Sequence, residues 1–155
     1  MSSGLNITGS VYLRDTCNGA ASGCSPTTSL VSVGNDGSIP DATQNNESMS
    51  AGGRFIAFAS LANNLVPGDT FPANGWKDIF VHDTCNGAPT SCAASTVRVS
   101  VTNTPGFATE ANNVSDFPLI SGDGHYVVFM SSSTNLVAGV TGNGHSMIFL
   151  ALTGF

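Results

Sequence analysis

The chain has 155 residues, which is enough for one domain with a buried core. Charged residues make up only 9% of it, and four Lys and Arg stand against ten Asp and Glu, for a net charge of −6. Because there is no basic cluster, we expect neither nucleic acid nor an anionic membrane surface as a partner. No apolar run approaches the length of a membrane span.

Nine short strands are predicted in chain order, because short apolar runs alternate with Gly, Asn and Ser turns and no helical period is sustained. The runs 54–60 and 125–131 are apolar on both faces, so we expect central strands covered on two sides. The sequence therefore predicts an all-β fold. The predicted strands are 11–15, 28–33, 47–50, 54–60, 78–83, 95–101, 116–121, 125–131 and 146–152.

The chain also repeats itself. Residues 11–17 (VYLRDTC) return as 79–85 (IFVHDTC) with an offset of 68, and residues 55–58 return as 126–129 with an offset of 71. A tandem repeat of this size made of strands predicts a stacked or circular β array. We divide the single domain, 1–155, into a repeat at about 11–78, a second at about 79–146 and a partial third at 147–155.

The four cysteines form two equivalent pairs. Cys17 and Cys24 lie at the two ends of one loop, and Cys85 and Cys92 lie at the two ends of the equivalent loop in the second repeat. Each loop carries an Asn-Gly turn. We favour a local disulfide in each loop, worth about 2–3 kcal/mol by loop entropy. A zinc site is the alternative, although structural zinc prefers closer cysteine pairs. Disulfides would place the protein in an extracellular or periplasmic compartment.

Sequence motifs for catalysis are absent: there is no Gly-x-Ser-x-Gly, no His-Glu-x-x-His and no phosphate loop. His82 replaces Arg14 of the other repeat and His125 replaces Arg54, which predicts exposed positions that accept any basic group. His82 and its neighbour Asp83 should point to opposite faces of a strand and so form no dyad. We also expect Arg98 to be exposed, and we predict that the protein is not an enzyme.

One loop could bind a metal or a ligand. Asp69, Asn74 and Asp78 offer the hard oxygen ligands that calcium prefers, although their spacing fits no known calcium loop. The alternative is that they form turn and strand-end hydrogen bonds. Calcium is thus the one candidate cofactor. Trp76 could stack on a sugar or anchor a partner, and packing against the protein is the favoured alternative.

Two segments resemble a known signature. Residues 118–129 (PLISGDGHYVVF) are similar to the blades of TolB-like, WD-repeat-like β-propellers, in which a Pro-x-x-Ser-x-Asp-Gly turn precedes an apolar strand. Residues 48–58 carry the same motif with Gly52 in place of the Asp. Residues 64–69 and 78–83 resemble the longer, secreted bacterial version, here with cysteine-closed loops. The resemblance implies β-propeller blades over nearly the whole chain.

Nine strands make two four-stranded antiparallel blades plus one extra strand, whereas a ring needs about four to eight blades. The chain is therefore expected to be a partial propeller. Either a longer parent chain or a homo-oligomer would complete it, and a trimer with six blades is the simplest closed ring. We expect a non-catalytic extracytoplasmic scaffold or recognition module with a protein or glycan ligand. The alternatives are an accessory segment of a secreted hydrolase and a glycan-binding, lectin-like propeller.

Overall fold

The structure is a computed structural model that describes residues 9–20, 22–69, 75–102, 110–140, 142–143 and 145–155. Within these ranges no helix is long and apolar enough to cross a membrane. A short 3-10 turn, Ala51–Gly53, precedes the fourth of nine strands. The strands are β1 (Tyr12–Asp15), β2 (Thr27–Leu30), β3 (Gln44–Met49), β4 (Phe55–Ser60), β5 (Asp78–Asp83), β6 (Ser95–Arg98), β7 (Ser115–Ile120), β8 (Tyr126–Ser131) and β9 (Met147–Leu152).

The strands form three antiparallel sheets, which confirms the predicted all-β fold. We call them the first sheet (β1-β2), the middle sheet (β3-β4-β5-β6) and the last sheet (β7-β8-β9). Within each sheet, strands that follow one another in the chain pair with one another, and all nine predicted strands are present. In the described ranges the three sheets form an open stack and not a closed ring.

The middle and last sheets share one geometry. Phe58 pairs with Phe80 across β4 and β5, and Phe129 pairs with Phe149 across β8 and β9. The ring centroids lie 5.9 Å apart in the first pair and 5.7 Å in the second, with interplanar angles of 23° and 24°. The sequence repeat is therefore a structural repeat that extends to the packing of side chains.

A bulge recurs as well. The pairing of β3 with β4 shifts between Asn45 and Ser48, and that of β7 with β8 shifts between Asp116 and Leu119. At this point Asn46 has a φ of 53° and Phe117, which stands 71 residues later, has a φ of 55°. Because an extra residue bends a strand locally, the same bulge gives both sheets the same bend.

Every residue of β4 and β5 is buried, because the middle sheet is covered on both sides. Ile56, Phe58 and Phe80 pack against Val11 and Val31 of the first sheet and its flanks. The opposite face packs against the last sheet, through one cluster of apolar side chains. That cluster includes Phe55, Ala57, Ala59, Ile79, Val81, Val127 and Phe129.

The stack has one polarity. Phe58 and Phe80 face the preceding sheet, and so do their equivalents Phe129 and Phe149. We call the side of a sheet that points towards the preceding sheet its leading face, and the other side its trailing face. In the middle sheet the leading face carries Ile56, Phe58 and Phe80, and the trailing face carries Phe55, Ala57 and Ala59.

The prediction of two-sided cover is confirmed for 54–60 and is wrong for 125–131. Val127 and Phe129 of β8 are buried, whereas Tyr126, Val128 and Met130 are exposed. The middle sheet covers only the leading face of β8, and no described residue of this chain covers its trailing face.

Replacing Phe58 by Ala should lower the free energy of unfolding by about 3–5 kcal/mol, since it empties a fully buried aromatic site between two sheets. Denaturant unfolding followed by circular dichroism measures the loss. Ile39→Ala is the matched control, because Ile39 is 43% exposed and its truncation should cost under about 0.5 kcal/mol. Equal effects of the two variants would contradict the stacked core.

Candidate functional site

Two disulfides close the loops that follow β1 and β5, as the sequence predicts. Cys17 is bonded to Cys24 and Cys85 to Cys92, with Cα–Cα distances of 5.8 Å in each. The sulfurs are thus oxidised and cannot serve as the thiolate ligands of a zinc site. Disulfides are typical of proteins that mature in an oxidising, extracellular environment.

An aspartate supports each disulfide loop. Asp15 Oδ1 accepts a hydrogen bond from the backbone N–H of Cys17, and Asp83 Oδ1 accepts one from that of Cys85, each at 2.8 Å. Cys17 and Cys85 have φ values of 58° and 60°, a left-handed backbone conformation that residues other than glycine rarely adopt. The two aspartates occupy the same position of the repeat and hold the backbone where each loop leaves its strand.

Asp83 also forms a bidentate ion pair with Arg54, whose Nε and Nη2 lie 3.1 and 2.9 Å from the two carboxylate oxygens. Arg54 lies over the ring of Phe55, at 4.7 Å from its centroid. Burial opposes ionisation of Asp83, but the hydrogen bonds from Arg54 and from the N–H of Cys85 outweigh it and lower the pKa of Asp83. Asp83 is thus a fixed anion with a structural role.

His82 is buried, with 5% of its surface exposed, so the prediction of an exposed position is wrong. It lies on the leading face of the middle sheet. Its Nδ1 lies 2.9 Å from Thr96 Oγ1, which donates to the carbonyl of Val33 at 2.8 Å. Since the Thr96 hydroxyl has only one proton, Nδ1 must carry a proton and donate it. Burial lowers the pKa of His82, against a smaller opposing effect of Asp83, and keeps the ring neutral.

The first sheet repeats this arrangement with other residues. Arg14 Nη1 donates to Thr28 Oγ1 at 2.7 Å, and these two residues are the repeat equivalents of His82 and Thr96. His82 and Asp83 therefore bind different groups, Thr96 on one side and Arg54 on the other. They form no catalytic dyad, in agreement with the alternation of strand side chains.

A cavity of about 360 Å³ lies beside His82, between the first and middle sheets. Its lining is uncharged and mixes polar groups with apolar side chains, and Asn35 is part of it. The Asn35 side chain donates to the carbonyl of Thr96 at 2.9 Å and accepts from its N–H at 2.7 Å. No sequence pattern singles out this asparagine, because its partner lies 61 residues away. The polar groups of the lining are Ser29, Asn35, His82, Thr84 and Ser95.

Arg98 is nearly buried, with 8% of its side chain exposed, so its predicted exposure is also wrong. Its Nη1 lies 2.5 Å from Asp69 Oδ1 and 2.8 Å from Glu110 Oε1. The guanidinium is buried because these two carboxylates compensate its charge. Among the described residues, Asp69 Oδ2 and Arg98 Nε have no hydrogen-bond partner. Glu110 was missed by sequence reasoning, since nothing in its neighbourhood indicates a partner elsewhere in the chain.

The structure gives two of the three calcium candidates a protein partner. Asp69 pairs with Arg98, Asp78 accepts a hydrogen bond from Ser100 Oγ at 2.5 Å, and Asn74 lies outside the described residues. Calcium binding at these positions stays a prediction. Trp76 is partly buried just before β5, and stacking on a ligand likewise stays a prediction.

The trailing face of the last sheet is a large exposed apolar surface. Eight side chains on it are 38–74% exposed, and none of them is charged. The largest apolar patch of a monomer usually covers only about 300–600 Å², and larger exposed apolar faces are typical of interaction surfaces. The eight residues are Phe117, Leu119, Tyr126, Val128, Met130, Ile148, Leu150 and Leu152.

Comparison with known proteins adds no assignment. No protein-family model matches the chain, and a search of the curated proteins finds no match.

Acidification from pH 8 to 5 should stabilise the protein relative to its Asp69→Asn/Asp78→Asn variant. Burial raises the pKa of Asp69 to about 7, with Arg98 opposing and Asp78 and Glu110 adding to the rise, and burial raises that of Asp78 to about 6. Both groups bind protons more tightly in the folded state. The two carboxyl groups therefore add their full contribution to the free energy of unfolding below pH 3.8, their pKa in the unfolded chain. This contribution is lost as the pH rises through 6 and 7.

The slope should reach about 1.4 kcal/mol per pH unit for each carboxyl group, measured by denaturant unfolding at several pH values. Comparison with the double variant isolates these two groups from His82, whose lowered pKa acts in the opposite direction. Parallel pH profiles of the two proteins would contradict the assignment.

Proposed function

We propose that the chain is a non-catalytic scaffold or recognition module that acts outside the cytoplasm as one segment of a larger β-propeller ring. The observation that carries this proposal is the exposed apolar face of the last sheet. In the middle sheet the same strand positions are covered by the next sheet of the stack. A face that continues the stacking pattern and ends in solvent indicates that a further element belongs on it.

The repeated geometry supports the propeller. The middle sheet is a four-stranded antiparallel meander, the last sheet repeats three of its strands, and the first sheet matches its final two. Propeller blades are sheets of this kind packed face to face around an axis. Three sheets are too few to close a ring, so the remaining blades come from other copies or from a longer parent chain.

The chemistry of the candidate residues supports a non-catalytic role. His82 is neutral and hydrogen-bonded to Thr96, Asp83 is held by Arg54, and the cysteines are oxidised. A general base needs a pKa near the working pH and access to a substrate. These groups instead fix the structure of the loops and of the contact between sheets. The two disulfides support a location outside the cytoplasm.

If other copies complete the ring, the purified chain should assemble. We expect multi-angle light scattering to give two or three times the chain mass of 15.7 kDa. Three copies would supply six blades if each junction is one blade shared by two chains, and two copies stacked end to end would supply six sheets. The measurement should be made in oxidising buffer so that the disulfides stay intact. A folded monomer that binds no apolar dye would contradict the exposed face, and a folded monomer that does bind it would point to a longer parent chain.

The cavity beside His82 favours recognition of a neutral polar ligand, such as a glycan. Its hydroxyl, amide and imidazole groups can exchange hydrogen bonds with sugar hydroxyls, and its described lining carries no charge to attract an ion. The cavity volume of about 360 Å³ lies at the lower end of ordinary ligand sites.

A glycan array should therefore show binding to neutral oligosaccharides, and Ser95→Trp should abolish it, because the indole would fill the cavity. Ser91→Trp is the matched control, since Ser91 is exposed on the disulfide loop and outside the lining. Binding that survives Ser95→Trp would place the ligand elsewhere, and an array without any bound glycan would contradict this role.

A further inference from the structure

The exposed face at the end of the stack has equivalents that are buried. Tyr126 and Val128 stand 71 residues after Phe55 and Ala57, which the last sheet covers. Ile148 of β9 pairs with Met130 of β8 in the way that Ile79 of β5 pairs with Ala59 of β4. Ile79 is fully buried. The trailing face of the last sheet thus repeats an interface and lacks only the partner.

The beginning of the stack shows the complementary situation. Tyr12 of the first sheet stands 68 residues before Phe80, which is buried in the core and stacked on Phe58. Tyr12 is nevertheless 54% exposed, because no element in the part of the chain that the structure describes covers the leading face of the first sheet. Arg14, Thr28 and Leu30 share this face with it, as the pairing of β1 with β2 and the Arg14–Thr28 hydrogen bond show.

Within the chain, a trailing face always meets a leading face. The first sheet meets the middle sheet in this way, and the middle sheet meets the last. Among the described residues, the stack therefore has one uncovered leading face and one uncovered trailing face. A contact between the two ends of different copies would cover both faces at once and would continue the polarity of the stack.

We propose that the trailing face of the last sheet binds the leading face of the first sheet of a second copy. This inference rests on the assembly proposed above. The contact is head-to-tail, so that different surfaces of the two copies meet. Tyr12 and Leu30 of one copy then lie against the β8–β9 surface of the other, around Val128 and Leu150.

The area fits a stable contact. With roughly 200 Å² per large side chain, eight side chains at 38–74% exposure present on the order of 900 Å². Each partner in a standard protein interface contributes about 800 Å². A second copy that covered β8 and β9, which carry six of the eight side chains, would therefore bury most of the area that a stable interface needs.

The sizes of the side chains also fit this partner. Phe117 and Leu119 on β7 replace the smaller, polar Asn46 and Ser48 of the middle sheet. The first sheet has two strands where the middle sheet has four. A partner without the inner two strands leaves space over β7, and larger apolar residues at that place can fill it.

Two variants and their mixture test the contact. Leu150→Asp alters the trailing face, Tyr12→Asp alters the leading face, and Ile39→Asp, at an exposed apolar residue of the loop after β2, is the control. Light scattering should give the oligomer for wild type and control, and the mass of one chain, 15.7 kDa, for each face variant alone. An equimolar mixture of the face variants should form a complex of two chains, because each supplies the intact face that the other lacks.

Three outcomes overturn the proposal. Two of them are an oligomer that persists in the Tyr12→Asp variant and face variants that form no complex on mixing. Either would show that the apolar face binds a different surface, and the proposed assembly of copies would be unaffected. A wild-type monomer would contradict assembly from copies altogether. The altered residues are exposed, so the variants should keep the wild-type melting temperature; Ile148→Asp and Thr28→Lys, also at exposed positions, are the replacements if one does not.

Discussion

The structure depends on the burial of the middle sheet from both sides. Its two central strands carry apolar side chains on each face, and such strands are stable in water only when a layer covers each face. The first sheet covers one side with Val11 and Val31, and the last sheet covers the other with Val127 and Phe129. A chain with so few charges relies on this packing, on two disulfides and on a small number of well-placed ion pairs.

Much of the fold could be predicted from local patterns. The strands, the turns and the disulfide pairs all follow from alternation, Gly and Asn positions and the repeat of the cysteines, which are properties of neighbouring residues. His82, Arg98 and the trailing face of β8 were predicted wrongly, because their environments are set by distant segments. The Thr96 hydroxyl beside His82 is bound to Val33, 63 residues away, and Arg98 is bound to Asp69, 29 residues away. A single sequence gives no signal for contacts of this kind.

Comparison of the repeats separates structural residues from specialised ones. The Asp–Cys loop geometry, the Phe–Phe stack and the basic residue beside a threonine occur twice with almost the same distances. They are therefore parts of the scaffold. The positions that change, such as Asn46 to Phe117 and Ser48 to Leu119, change towards larger apolar residues at the end of the stack. The cavity beside Asn35 and the end faces are thus better candidates for function than the titratable side chains.

The two disulfide loops lie on the same edge of the stack, since each follows the equivalent strand and the sheets share one direction. The groove between them is bordered by Asp15 and Thr27 on one side and by Thr84 and Asn86 on the other. Every added copy would extend this edge by the same two loops. A binding partner too weak to be held by one loop could then be retained by several at once, so that avidity would follow from the number of copies alone.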